Sequence, residues 1–540
     1  MYRIVSFISF LLFCSAVASA QSYEEYKRQQ QAKYRGYVQQ KTEEYRAYRD
    51  RVNAEYAEFM RQAWKQEEVL PAKPLPKRPE PPKPEVRKPL DIPQFDAIPF
   101  GEVKDIPKPN IPKPQPIIPI DELDRLVIMA PEPIDNPNEN LNDNAKPQEE
   151  ARPKDEKPKD EKPKDEKPTQ QVPPVTKPRE PKAEGFAFQW CGQTWRVPLE
   201  QQHRFRLRST KEPDVADAWK MLSGAKYAGV VAACLKLRNA YQLPDWGYLR
   251  FLEVMTDAFL KGMPDEARLL EMFILVQSGY QVRIARCDGH LFLLVPSMGD
   301  IYEYTYLKLG GRKYYVADKR PRSGAFYVYE REFPREQPMV WQMDKLPLFA
   351  SKGATRTLKA QRYPEVCAMV SLNKDLVEFL NDYPQCGDWN YYALASLSDQ
   401  AKESLYPALR KYIEGKGKKE AVDILLDFVQ TAFEYRTDDQ QFGVERSLFG
   451  DETLYYPYCD CEDRSILFSI LVHELVGLKV VLLNYPEHIA TAVCFEEDVQ
   501  GDYVMLDGKR YVVCDPTYIG SHVGEAMSRY KSTKATIIKL

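Results

Sequence analysis

Two cysteines and three carboxylates crowd the stretch Tyr458-Cys459-Asp460-Cys461-Glu462-Asp463. Behind them Ile466, Leu467, Ile470, Leu471 and Leu475 recur at helical spacing, and Gly477 follows as a C-terminal cap. A cysteine in the first turn of a helix has its thiolate stabilised by unpaired backbone N–H groups and by the helix dipole. Asp460 suits the N-cap and Asp463 the third helical position. The flanking carboxylates act the other way, because nearby negative charge disfavours a thiolate, so a base must outweigh them. The chain holds only five histidines. His473 lies on the same helix about 18 Å from Cys461 at 1.5 Å per residue, and belongs to the helix surface. His488 opens the run HIATAVCF after the helix, and Asp515 closes the later run KRYVVCD. If those runs are strands that pair antiparallel, His488 and Asp515 face each other at one end of a sheet. That supplies a nucleophile, a base and a carboxylate to orient the base. Such a Cys461 is expected to be reduced and partly exposed. Three other readings stay open: Cys459 as the nucleophile, Cys461 as a structural core residue, or a zinc ion on Cys459, Cys461 and His488. Cys-x-Cys lacks the usual finger spacing for the last.

The elements that must position these groups are a buried helix and an antiparallel sheet, an α+β arrangement. The runs KVVLLNY, HIATAVCF, YVML and KRYVVCD read as strands, and Asp507-Gly508 joins the last two as a hairpin turn. Because strand side chains alternate, Cys494 shares a face with His488 while Cys514, next to Asp515, points away. The two are therefore separate core cysteines rather than a bridge.

Taken in order, CEDRSILFSILVHELVGL, HIATAV and YVVCDPTY resemble the transglutaminase-like superfamily of cysteine enzymes over roughly Lys418 to Ile519. The resemblance implies a papain-related α+β fold with Cys461 as nucleophile, His488 as general base and acid, and Asp515 holding the imidazole. It implies acyl transfer from an amide through a thioester, on a peptide or protein substrate such as cell-wall peptide, with no cofactor and no metal. Two positions depart from the family pattern: Cys459 stands where glycine is usual, and Ala490 where an aromatic often follows the histidine. The Cys461 backbone N–H, with Tyr456 or Tyr458, is the candidate oxyanion donor set. The rival reading is a catalytically silent scaffold of the same fold that grips a peptide or glycan.

An earlier stretch, MPDEARLLEMFILVQSGYQVRIARCDGHLFLLV from Met263 to Val295, echoes the same plan. Aligning Gly279 with Gly477 sets Met263 on Cys461, Asp265 on Asp463 and His290 on His488. One residue of slippage then sets Asp318 on Asp515, with Gly310-Gly311 as the matching turn. A thioether is no nucleophile, so this copy is expected to be inert, with His290 and Asp318 brought together and Met263 in the sulfur's place.

The rest of the chain reads as export and reach. Residues 1–20 resemble a secretory signal: Arg3, the apolar run Ile4 to Phe13, and Ala18-Ser19-Ala20 before a cut after Ala20. The expected location is periplasmic, or secreted and extracellular, with no transmembrane segment. Nine cysteines remain beyond Cys14, an odd number for an oxidising compartment. Residues 21–69 carry an eleven-residue repeat that lines Tyr23/Tyr26, Tyr34/Tyr37, Tyr45/Tyr48 and Tyr56/Phe59 along one helical stripe. One continuous helix from Tyr23 to Trp64 is expected, its stripe packed on the body or used for self-association or partner docking through residues 23–66. Residues 70–184 are rich in proline and charge, with KPKDE repeated, and read as a disordered linker in which LDRLVIMA (Leu123 to Ala130) is a small apolar island. Residues 185–335 are then a degenerate transglutaminase-like domain, 336–370 connecting strands, and 371–540 the catalytic domain. A formal net charge of −3 provides no field that would draw the protein to nucleic acid.

Overall fold

The computed structural model describes residues 28, 30, 33, 35–37, 39–76, 84–87, 96–104, 185–350 and 353–540. The apolar run behind the cysteine pair forms the helix Cys461–Leu471, buried along its whole length, and continues through a π turn, Val472–Val476. Gly477 stops it at φ 78°, a left-handed conformation that costs glycine nothing. Strands Lys479–Asn484, Ile489–Cys494, Tyr503–Leu506 and Lys509–Cys514 follow and pair antiparallel. Asp507 and Gly508 both sit at positive φ, 50° and 72°, as a two-residue hairpin turn requires. The sheet order is Tyr503–Leu506, Lys509–Cys514, Ile489–Cys494, Lys479–Asn484, Ala535–Lys539 and Phe100–Lys104.

The chain is mixed α+β, and its first half repeats this plan. Helix Pro264–Gln277 packs on a seven-stranded sheet. From Tyr306–Leu309 that sheet runs through Arg312–Val316, His290–Ser297, Arg283–Cys287 and Phe326–Val328 to Lys65–Glu67, with Val69–Leu70 added outside the first of these. The order matches the second sheet strand for strand, and so does the register. Arg283↔Leu294 and Leu294↔Val316 have their counterparts in Val481↔Ala492 and Ala492↔Val513. Tyr306↔Tyr315 has its counterpart in Tyr503↔Val512. Register decides which face every side chain takes, so agreement across three strand pairs carries the duplication further than the sequence echo. A hairpin leads each unit, Phe186–Trp190 with Gln193–Val197 and Gly353–Lys359 with Cys367–Asn373. The second hairpin packs on the helices Asp399–Ile413 and Gly450–Tyr455 of the second unit.

The aromatic stripe is used by the body. The helix over 39–60 places Val52, Tyr56, Ala57 and Met60 in the main core, where the Tyr56 ring meets Trp219 and Phe333 at 5.0 Å each. Tyr45, Tyr48 and Phe59 pack at its margin, while Tyr37 is exposed. The expectation of a helix unbroken to Trp64 is corrected. The helix stops at 60 because the chain turns so that Trp64 can bury beside Tyr329 and Lys65–Glu67 can pair with Phe326–Val328. Tyr23, Tyr26 and Tyr34 lie outside the described residues, as does the signal segment.

The reading of 70–184 as disordered is likewise corrected over its described stretches. Lys73 bridges Tyr302, Val86 bridges Ile519, Ala97 bridges Tyr503, and Phe100–Lys104 forms a parallel edge strand on Ala535–Lys539. A proline-rich segment cannot build a core of its own, but it can satisfy its main chain on the exposed edges of one already built. Ile98, 2% exposed, anchors it in the second unit. The remainder of that segment, Leu123 to Ala130 included, lies outside the described residues. No helix among the described residues is long and apolar enough to cross a membrane.

Candidate functional site

Cys461 opens its helix behind Asp460 at the N-cap. Asp463 fixes the approach to that helix, accepting from Leu448 N at 2.9 Å and from Asp460 N at 3.4 Å. One turn further on, Ser465 Oγ donates to the carbonyl of Ile489 at 3.1 Å, which ties the helix to the residue after His488. Cys461 accordingly shares an apolar cluster with Ile489, Leu482 and Ile538, with Trp389 and Leu540 packed against it. These neighbours leave Cys461 only 3% exposed, so the expectation of a partly exposed thiol is corrected. Its Sγ lies 3.2 Å from Glu462 Oε2. Among the described residues none of the nine cysteines is joined in a disulfide, Cys494 and Cys514 included.

His488 and Asp515 flank two paired strands, and His488 Nε2 meets Asp515 Oδ2 at 2.9 Å in a fully buried contact. The other carboxylate oxygen accepts from Thr517 N at 2.9 Å and Tyr518 N at 3.3 Å, so the turn after Asp515 holds it in place. Tyr530 stacks on the imidazole, ring centroids 4.9 Å apart and planes 17° apart, and Tyr485 stacks on Tyr530 in turn. Burial raises the Tyr530 hydroxyl, Arg529 opposes that rise, and the nearby carboxylates Glu487 and Asp515 add to it.

Arg464 and Gln430 brace the site from behind. The Arg464 guanidinium donates to the carbonyls of Gln430 at 3.2 Å, Phe433 at 2.9 Å and Pro516 at 3.5 Å. Gln430 Nε2 donates to the Asp515 carbonyl at 3.0 Å and to Ser521 Oγ at 2.9 Å. Ser465, Tyr530, Trp389, Arg464 and Gln430 all escaped the sequence reading. Arg464 alone left a signal, as a charge on a helix otherwise apolar behind its first turn.

The alternatives separate here. Cys459 pairs its strand with Glu434–Tyr435 and buries in the main core, where burial pushes its thiol up to about 11. Among the described residues the sets that bring three possible ligands together are Asp460–Cys461–Glu462, Asp438–Asp460–Asp463 and Asp438–Glu445–Glu462. None contains Cys459 or His488, so the zinc reading has no support. The carboxylates are a hard-ligand set that could hold a divalent cation. Shared protons neutralise them equally well. Of the second oxyanion candidates, Tyr456 gives its hydroxyl to Asn381 at 2.9 Å, and the Tyr458 ring lies under Arg436.

Burial pushes Asp438 up to about 10, with Asp463 and Glu462 adding to the rise, Glu452 to about 7 and Asp451 to about 6. An acid raised by folding contributes stability that is whole below its unfolded pKa, near 4, and is lost as pH rises through the folded value. In chelator-containing buffer the unfolding midpoint should therefore fall between pH 5 and pH 8, by about 5 °C or more. Asp438→Asn, which keeps the neutral form, should shrink that fall. A midpoint that rises over this window would contradict the assignment.

In the first unit the equivalent groups are rearranged. His290 opens its strand as expected, but its Nδ1 meets Asp265 Oδ2 at 3.1 Å and its side chain is 58% exposed. Asp318 is taken by Arg320, at 2.8 Å, and the Arg320 guanidinium lies over the Phe292 ring. The expected meeting of His290 with Asp318 is therefore corrected: Arg320 provides Asp318 with a stronger, charge-assisted partner. Met263 is the N-cap residue of Pro264–Gln277, half-buried against the core. No family model, curated protein or solved structure matches the chain.

Proposed function

We propose that the second unit is a cysteine acyl-transfer centre acting on amide bonds of a peptide or protein, with Cys461 as nucleophile, His488 as base and acid, and Asp515 as the group that orients the imidazole. The observation that carries this reading is the buried His488–Asp515 bond on a strand end tied by Ser465 to the helix of Cys461. Asp515 holds Nε2, so Nδ1 is the nitrogen that exchanges a proton with the thiol. The Cys461 thiolate attacks the carbonyl carbon, the Cys461 backbone N–H steadies the oxyanion, and the imidazolium returns its proton to the departing amine. The thioester left on Cys461 passes to water or to a second amine. The likeness of the three motifs to transglutaminase-like enzymes supports the same reaction class, and the N-terminal twenty residues support export. The first unit takes a non-catalytic role in this reading, because Met263 has no thiol to offer and Arg320 occupies Asp318.

An activated acyl ester tests the chemistry without knowledge of the natural substrate. Incubation of the full chain with p-nitrophenyl acetate should acylate the peptide containing Cys461, and neutral hydroxylamine should discharge the adduct. Acylation confined to the exposed Cys367, or none, would overturn the assignment.

A further inference from the structure

The proline-rich strap contacts the two units in two ways. Ile98 and Phe100–Lys104 are anchored by a buried side chain and a bulged parallel strand pairing. Residues 73–76 and 84–87 are held differently. Lys73 O accepts from Glu303 N at 2.8 Å, Ile519 N donates to Glu85 O at 2.8 Å, and Arg87 N donates to Ile519 O at 2.8 Å. Val86, at the centre of the second contact, is 68% exposed. The grip is on main chain and not on side chains, apart from Lys73 with Asp300 and Arg87 with Glu525. Binding of that kind tolerates many sequences and is readily exchanged.

The two contacts also each reach a residue that adjoins the candidate triad, in the cluster around Cys461 or in the turn after Asp515. Leu75 and Pro76 line a small, shallow cleft with Trp389, Glu445 and Ser447, and Trp389 packs against the cluster that holds Cys461. Ile519 lies four residues beyond Asp515, directly after the Thr517–Tyr518 turn that Asp515 caps. We propose that these edges, Glu303 on one side and Ile519 on the other, form the groove for an extended, proline-bearing polypeptide substrate, and that strap residues 73–76 and 84–87 are its resident competitor. This inference rests on the catalytic reading of Cys461 and names the substrate class for it. Proline suits the occupant, because a chain already extended loses little entropy on binding.

A fluorescent peptide with the sequence of residues 69–87 tests the groove in trans on the full chain. Arg87→Pro deletes the N–H that Ile519 accepts, whereas Arg87→Ala keeps it and loses only the ion pair with Glu525. The peptide should bind Arg87→Pro about 5-fold or more tightly than wild type, the gain expected when one hydrogen bond of the competitor is lost. Arg87→Ala should fall between, and bound peptide should slow alkylation of Cys461 by iodoacetamide. Equal binding by all three chains, no binding, or bound peptide that leaves a reactive Cys461 alkylating at its original rate would overturn the proposal. Binding is read without turnover. Tight binding to Arg87→Pro with Cys461 inert in every chain would uphold the groove and defeat the catalytic reading.

Discussion

Asp515→Asn should lower acyl turnover by about 10³ to 10⁴-fold while leaving the fold intact. The size follows from the two jobs of the carboxylate. Oδ1 accepts from Thr517 N and Tyr518 N, and an amide oxygen does this equally well, so the turn stays closed. That choice aims the amide NH2 at His488 Nε2, where Oδ2 stood at 2.9 Å. Facing a donor, Nε2 must become the acceptor and Nδ1 must carry the proton. The nitrogen that should take the thiol's proton is then already occupied. Steady-state turnover of the acyl ester, with a thermal melt as control, checks both halves. Turnover within tenfold of wild type would mean that the imidazole needs no such partner.

Arg464→Met should cost about 3–5 kcal/mol of stability in chemical denaturation, the largest loss expected from any single change near the site. Arg464 is 1% exposed and serves the carbonyls of Gln430, Phe433 and Pro516. Replacing a whole buried ionic group with apolar residues can be neutral, but here the partners are backbone oxygens that remain behind. Methionine fills the volume and leaves them without donors, at about 1–3 kcal/mol each. Pro516 adjoins Asp515, so the variant's turnover should fall beyond what its stability predicts. A loss under about 1 kcal/mol would show that water replaces the guanidinium.

The parts of this fold written in local chemistry could be read from the sequence. The Cys461 helix shows its apolar spacing, its Asp460 cap and its Gly477 stop, and Asp507-Gly508 dictates a hairpin through backbone conformation alone. The repeat was legible for the same reason, since Gly279 and Gly310-Gly311 mark matching turns. Features set by distant contacts were not legible. His290 and Asp318 occupy the expected positions, yet Arg320 decides their partners, and no spacing rule announces a neighbouring arginine's reach. Tyr530 finds His488 from a stretch with little regular structure. The strap misleads because its composition forbids a core of its own, while pairing onto a finished edge demands only main chain. Cys461 is buried through Trp389 and Leu540, one far upstream and one far downstream of it.

Activation of Cys461 by His488 is tested by alkylation of Cys461 with iodoacetamide at pH 7, followed by peptide mass mapping. The exposed Cys367 is a built-in reference thiol in the same chain. Cys461 should react faster than Cys367 despite its burial, and His488→Ala should slow Cys461 by about 100-fold or more without affecting Cys367. A Cys461 that reacts no faster than Cys367, or that reacts equally fast without His488, would contradict that activation.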